Sequence, residues 1–124
     1  MVRLLFIFQF FIFFNSAISA QIETISTKDT TRYSEKQAME EEKFIAATAF
    51  RLANKTKEAI PLLQELIKNN KTEPTFYYEL ARTYYLDKQY DDALTNASKS
   101  VSLDPAYLYY AIFEAEILEK QGNA

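Results

Sequence analysis

The sequence predicts an all-α fold, an α-solenoid in which antiparallel helix pairs stack into about two and a half repeats. Three observations predict this fold. Apolar residues recur at helical spacing in five segments of the chain. Polar or proline-containing breaks separate these segments. Residues of the same character also recur at an interval of about 34 positions, the repeat interval, which is typical of stacked helix pairs.

Residues 1–20 have the organisation of a secretory signal peptide. Arg3 supplies the positive charge, residues 4–14 are almost entirely apolar, and residues 15–20 are mostly small. The apolar stretch is shorter than the roughly 18 to 20 residues that cross a bilayer, so we expect an exported protein, periplasmic or secreted, without a membrane span after cleavage. Cleavage after Ala20 and after Ser19 fits about equally well. The alternative is a retained anchor or a buried core helix.

The composition argues against an enzyme. The chain has no histidine, no cysteine and a single glycine, Gly122. These absences remove the usual proton shuttle near neutral pH, the thiolate nucleophile, most transition-metal sites and glycine-rich phosphate loops. We therefore predict no catalytic residues, no cofactor and no metal site. Loss of Arg3 leaves 13 basic and 17 acidic residues, a net charge of −4 without a basic stripe, so nucleic acid is not an expected partner.

The helical part of the chain is expected to begin at Ser34. Residues 21–33 are rich in Thr, Ser and charge, lack an apolar period, and predict a flexible lead-in. Residues 34–37 read SEKQ, which fits a Ser-x-x-Gln capping box. A first helix is therefore predicted from Ser34 to about Ala53.

Four further helices are predicted between breaks. Pro61 lies early in the second helix and Pro74 opens the third, positions where a missing backbone donor is tolerated. The fifth helix is expected from Ala106 to about Gln121, with Gly122 as its C-terminal cap. The breaks that separate the five helices are residues 54–56, 68–71, 87–89 and 103–105.

Positions separated by the repeat interval carry side chains of similar size, small in some sets and large in others. Small side chains allow two antiparallel helices to approach within about 8 to 10 Å, which explains why alanine returns at fixed places. The matching sets include Ala47, Ala81 and Ala115; Phe50, Tyr84 and Leu118; and Ala59 and Ala93.

The residues between 74 and 107 carry a more specific resemblance. Segments 77–85, 90–94 and 103–105 read YYELARTYY, YDDAL and LDP. This pattern resembles a tetratricopeptide repeat, in which an aromatic residue, Leu, a small residue and Tyr mark the first helix of each unit. The resemblance implies a repeat domain over residues 34–124, with units at 40–73 and 74–107 and a partial unit at 108–124. The match is weaker in the first unit, where Lys43 and Lys71 replace an aromatic residue and a proline.

The resemblance also implies where a partner binds, because tetratricopeptide arrays usually bind peptides on the concave surface formed by the first helix of each pair. Tyr78, Arg82 and Tyr85 lie at i, i+4 and i+7 and share one face, and Tyr and Arg are enriched at binding hot spots. The alternative is that the tyrosines pack on the neighbouring helix and Arg82 is a solvated charge. The slots implied to face the partner are Phe44, Thr48, Arg51, Tyr78, Arg82, Tyr85, Tyr109, Ile112 and Glu116.

These observations favour an exported scaffold that binds a protein or peptide. A second hypothesis is an N-terminal accessory or sensory segment of a larger enzyme or regulator. We also expect this chain to be the N-terminal piece of a longer array; the alternative is that the last helix serves as the cap. Self-association through the unpaired C-terminal helix is a further expected kind of contact. Chaperone tails are not the expected partner, since Lys, Asn and Arg are absent from the positions where co-chaperones of the family carry them, here Phe44, Thr48, Glu79, Tyr109 and Phe113.

Overall fold

The computed structural model describes residues 28–122, and this part of the chain is helical with no strand. The all-α prediction is therefore confirmed for these residues. The predicted signal peptide and residues 21–27 of the lead-in lie outside the described residues. The five helices are α1 (28–52), α2 (Thr56–Asn69), α3 (Pro74–Leu86), α4 (Tyr90–Leu103) and α5 (Leu108–Gly122).

The chain divides into two units after Met39. In the first unit, residues 28–39 are helical and exposed. The prediction that the helix begins at Ser34 is wrong, since residue 28 is already helical. Residues 35–43 are mostly strong helix formers, so the capping-box pattern at residues 34–37 lies within a helix. The two buried clusters belong to the second unit, which begins at Glu40.

The helices α1 and α3 end in the same way, at positions separated by one repeat interval. Asn54 has φ 59° and Lys88 has φ 60°. The N–H group of the residue after each of them, Lys55 or Gln89, donates to a carbonyl five positions back, at 2.8 and 3.0 Å. These are two Schellman motifs, in which a left-handed residue closes the helix and satisfies its last carbonyl groups. The predicted break at residues 87–89 is confirmed, and the one predicted at 54–56 lies one residue earlier, at 53–55.

The ends of α2 and α4 also repeat. Asn70 has φ −142° and ψ 92°, and Asp104 has φ −140° and ψ 81°. The N–H group of each donates to the carbonyl four positions earlier, at 2.9 and 3.0 Å. Pro74 is the first residue of α3, and the Glu73 carboxylate accepts from the Thr75 N–H at 3.2 Å. The helix start at Pro74 is confirmed. The break before it covers residues 70–73, two residues later than the predicted range of 68–71, because α2 continues to Asn69.

The fifth helix differs from its prediction at both ends. It begins at Leu108 and not at Ala106, because Pro105 and Ala106 form a turn before it. Gly122 is the last described residue of α5 and does not have a positive φ. The prediction that Gly122 is the C-terminal cap of the helix is therefore wrong, because Gly122 is itself helical.

Contacts between helix ends fix the helix directions. The Thr56 hydroxyl at the start of α2 donates to Asp87 just after α3, at 3.1 Å. The Gln121 amide near the end of α5 donates to Asp91 at the start of α4, at 2.7 Å. Neighbouring helices α2 and α3, and α4 and α5, are therefore antiparallel. Direct contacts also join α3 to α4.

Two buried clusters surround two alanines that are separated by one repeat interval. Ala47 packs among side chains of α2 and α3, and Ala81 packs among side chains of α4 and α5; neither alanine is exposed. The third member of the series, Ala115, is exposed in the described part of the chain. The residues of the first cluster are Ala47, Leu63, Leu66, Phe76 and Leu80, and those of the second are Ala81, Ala93, Ala97, Phe113 and Ile117.

Candidate functional site

Two aromatic pairs bring α1, α3 and α5 side by side. The rings of Phe44 and Phe76 lie 5.5 Å apart, and those of Tyr78 and Tyr110 lie 5.0 Å apart. Each member of the second pair stands one repeat interval after its counterpart in the first. The same interhelical contact is therefore made twice, first between α1 and α3 and then between α3 and α5.

Six of the predicted site residues belong to α3 and α5, and we call this set the α3–α5 face. Each triplet follows helical spacing, at i, i+4, i+7 in α3 and at i, i+3, i+7 in α5, so its members share one side of their helix. The face consists of Tyr78, Arg82 and Tyr85 from α3 and Tyr109, Ile112 and Glu116 from α5.

An ion-pair network crosses from α1 to this face. The Arg51 Nε donates to Glu79 Oε2 at 2.7 Å, and only 8 % of either side chain is exposed. The other carboxylate oxygen of Glu79 accepts from Arg82 Nη1 at 2.9 Å. Arg82 is more accessible, with 37 % of its side chain exposed. One buried carboxylate thus holds two guanidinium groups, of which only that of Arg82 is open to a ligand.

The Arg82 guanidinium also lies over an aromatic ring. Its central carbon is 5.4 Å from the centroid of the Tyr78 ring. This cation–π contact and the bond to Glu79 restrict the guanidinium from two sides. Arg82 is therefore a positioned cation and differs from the freely solvated charge of the alternative interpretation.

The tyrosines of α3 serve partly as packing residues. The Tyr78 and Tyr85 rings each lie 5.5 Å from the Phe113 ring of α5, and Tyr85 also lies 5.5 Å from Tyr90 of α4. Both tyrosines are only partly buried. One side of each ring therefore stabilises the α3–α5 contact, as the alternative interpretation expected, while part of each side chain is open to solvent.

Tyr85 meets the acidic end of the face. The pKa of the Tyr85 hydroxyl is raised above its ordinary value, mainly by partial burial and, to a smaller extent, by a hydrogen bond and a charge interaction with Glu116. The hydroxyl therefore stays protonated and can donate to the carboxylate. Glu116 itself is exposed, so the face carries a cation at Arg82 and an anion at Glu116.

Two exposed apolar residues complete the face. Tyr109 is 64 % exposed and Ile112 is 54 % exposed. The Tyr109 ring contacts the Tyr107 ring, with centroids 5.6 Å apart. Burying such side chains against a partner removes apolar surface from water, which favours association.

The predicted site residues of α1 have a different environment. Arg51 is buried and bonded to Glu79, so its role is to position the network. Phe44 is partly buried against Phe76. The Thr48 hydroxyl oxygen is buried and has no hydrogen-bond partner among the described residues.

Sequence reasoning did not select Glu79 or Phe113 for this site, although they connect its members. Glu79 joins Arg51 to Arg82, and Phe113 touches both Tyr78 and Tyr85. A carboxylate three positions before Arg82 on a helix is a recognisable i, i+3 ion pair. The longer contact from α1 becomes predictable only when the two helices are placed next to each other.

No group of three or more potential metal ligands occurs among residues 28–122. Within the same range, no helix combines the length and hydropathy that a membrane crossing requires. The sequence matches no protein family model and no curated protein.

Proposed function

We propose that this chain is an exported, non-catalytic interaction module that resembles a tetratricopeptide array and binds a protein or peptide on the α3–α5 face. The recurrence of contacts at the repeat interval supports the array. The buried alanines, the Schellman motifs and the aromatic pairs all return at this interval. Such recurrence is the arrangement expected when one helix pair stacks on the next.

The observation that carries the binding proposal is the state of Arg82. Its guanidinium is held between Glu79 and Tyr78 and remains partly exposed. Exposed apolar side chains of Tyr109 and Ile112 lie on the neighbouring helix α5. Arg and Tyr are among the residue types enriched at binding hot spots, and a positioned side chain loses little entropy on binding.

Selection from a displayed library of random dodecapeptides tests this proposal. The purified chain, produced without residues 1–20, is immobilised, and the enriched peptides are measured by fluorescence anisotropy. Ile112→Lys places a charge in the middle of the face and should weaken binding about tenfold or more, which corresponds to about 1.4 kcal/mol. Its matched control is Ile45→Lys on α1, because Ile45 is 62 % exposed and outside the face.

The two variants decide where binding occurs. Circular dichroism melting first establishes that both are folded. Weaker binding by Ile112→Lys together with unchanged binding by Ile45→Lys supports the α3–α5 face. Equal affinities for both variants, or no enriched peptide, would contradict the proposal.

A further inference from the structure

The charge balance around Glu79 indicates which ligand group the face accepts. Arg51 and Arg82 contribute two positive charges, and Glu79 contributes one negative charge. The Arg51–Glu79 pair is buried, and its two opposite charges cancel each other. The surplus is a single positive charge, and it belongs to Arg82, the only one of the three side chains that solvent reaches appreciably.

From this surplus we propose that Arg82 binds one side-chain carboxylate of the partner, that of a Glu or Asp residue. This inference rests on the proposed peptide-binding function. The bond to Glu79 uses Nη1 of Arg82, and the guanidinium lies over the Tyr78 ring. A guanidinium carries further N–H donors in the same plane, and two of them on one edge match the two oxygens of a carboxylate.

A single carboxylate fits the surroundings better than a phosphate. A phosphate monoester carries about −1.5 to −2 charge at neutral pH and usually needs more than one cation. The second arginine, Arg51, is buried and cannot approach the ligand. The exposed carboxylate of Glu116 on the same face adds repulsion that grows with the charge of the ligand.

Glu116 also gives the bound peptide a direction. It lies on α5 beside Tyr85, while Arg82 lies one turn before Tyr85 on α3. When the peptide carboxylate binds Arg82, the Glu116 carboxylate can therefore accept a hydrogen bond from a basic side chain or an N–H group elsewhere in the peptide. The preferred ligand has an acidic residue and, next to it along the face, a hydrogen-bond donor.

A synthetic peptide array tests the ligand class directly. The central residue is Glu, Gln or phosphoserine, and the flanking residues are randomised. The best binders are then titrated against wild type, Arg82→Gln, Arg82→Lys and the control Lys99→Gln, whose residue is exposed on α4. We expect the Glu peptide to bind at least about tenfold more tightly than the Gln peptide, a difference of about 1.4 kcal/mol.

The variants separate the guanidinium from its charge. Arg82→Gln should abolish the preference for Glu over Gln, and Arg82→Lys should retain only part of it, because Lys lacks the planar donor edge. Lys99→Gln should keep the full preference. Added salt should reduce the preference of wild type and leave Arg82→Gln unaffected, since screening acts on the charge interaction.

The outcomes distinguish this inference from the function on which it rests. Peptides that bind wild type with equal affinity for Glu and Gln overturn the carboxylate inference and leave the peptide-binding function intact. Tighter binding of phosphoserine overturns it in favour of a phosphate site. Failure of every peptide to bind removes the proposed function itself. A preference that survives Arg82→Gln in a folded variant places the carboxylate elsewhere and also overturns the inference.

Discussion

Arg51 of α1 and Glu79 of α3 form an ion pair at 2.7 Å in which both side chains are only 8 % exposed. The residues one repeat interval later are Tyr85 and Phe113, and their rings contact each other at 5.5 Å. The equivalent position is thus filled by a charged pair between α1 and α3 and by an aromatic pair between α3 and α5. The difference matters because only the charged pair extends to Arg82 and the candidate site.

The partners of this network should respond unequally to substitution. Glu79→Ala leaves the buried Arg51 without a carboxylate and should lower the free energy of unfolding by about 3 to 5 kcal/mol. Arg51→Met should cost less, about 1 to 2 kcal/mol, because Glu79 still bonds to the more exposed Arg82. Urea unfolding measures both variants. Equal losses would show that the bond to Arg82 does not compensate Glu79 when Arg51 is removed, and would contradict the expected difference.

A matched pair of alanine substitutions examines the helix contact. Ala81→Leu should destabilise the fold by about 1 to 3 kcal/mol, because Ala81 is fully buried between α4 and α5 and a larger side chain overpacks the core. Ala115→Leu, one repeat interval later, lies at an exposed position and should change stability by less than about 0.5 kcal/mol. Thermal melting of both proteins measures the contrast, and similar melting temperatures would be inconsistent with the packing.

The left-handed residue after α3 offers a stabilising substitution. Lys88 has φ 60°, which strains a residue with a Cβ atom by roughly 1 kcal/mol. Lys88→Gly should therefore raise the free energy of unfolding by up to about 1 kcal/mol, whereas Lys88→Ala should leave it nearly unchanged. Denaturant unfolding distinguishes the two. A glycine variant no more stable than the alanine variant would show that the turn does not require a left-handed residue.

Alkaline pH should weaken the contact between α3 and α5. Burial, opposed by the hydrogen bond with Thr75 and assisted by nearby carboxylates, raises the pKa of Tyr110 above its ordinary value of 10.0. The folded state then holds its proton more tightly than the unfolded chain, so this stability is complete below about pH 10 and is lost as pH rises towards the folded pKa. Tyr110→Phe should make the decline of stability above about pH 10 shallower. Urea unfolding at several pH values measures this decline. If the free energy of unfolding fell equally steeply above about pH 10 in both proteins, Tyr110 would not be its cause.

The helix boundaries were largely predictable because local signals determine them. Pro74 and the polar breaks near residues 54, 70 and 88 end or begin helices by backbone chemistry that acts over a short stretch of chain. The start of α1 was not predictable in this way. A capping pattern at Ser34 can also occur within a helix, and the strong helix formers that follow do not distinguish the two cases.

The candidate site was predictable only in part. The shared face of Tyr78, Arg82 and Tyr85 follows from helical geometry alone. The burial of Arg51 and its bond to Glu79 depend on how α1 lies beside α3, which is a property of tertiary packing. The contact between Tyr85 and Glu116 likewise depends on the position of α5. Sequence spacing shows which residues share a helix face but does not give their partners on another helix.

The recurrence of helix packing at the repeat interval is tested most directly by nuclear Overhauser contacts from two alanine methyl groups. The Ala47 methyl should show contacts to Leu63 and Phe76. The Ala81 methyl should show contacts to Ala97, which lies one repeat interval after Leu63, and to Phe113. Both patterns in one folded protein are the predicted result. Contacts for only one alanine, or contacts to unrelated residues, would contradict the repeated packing and the face built on it.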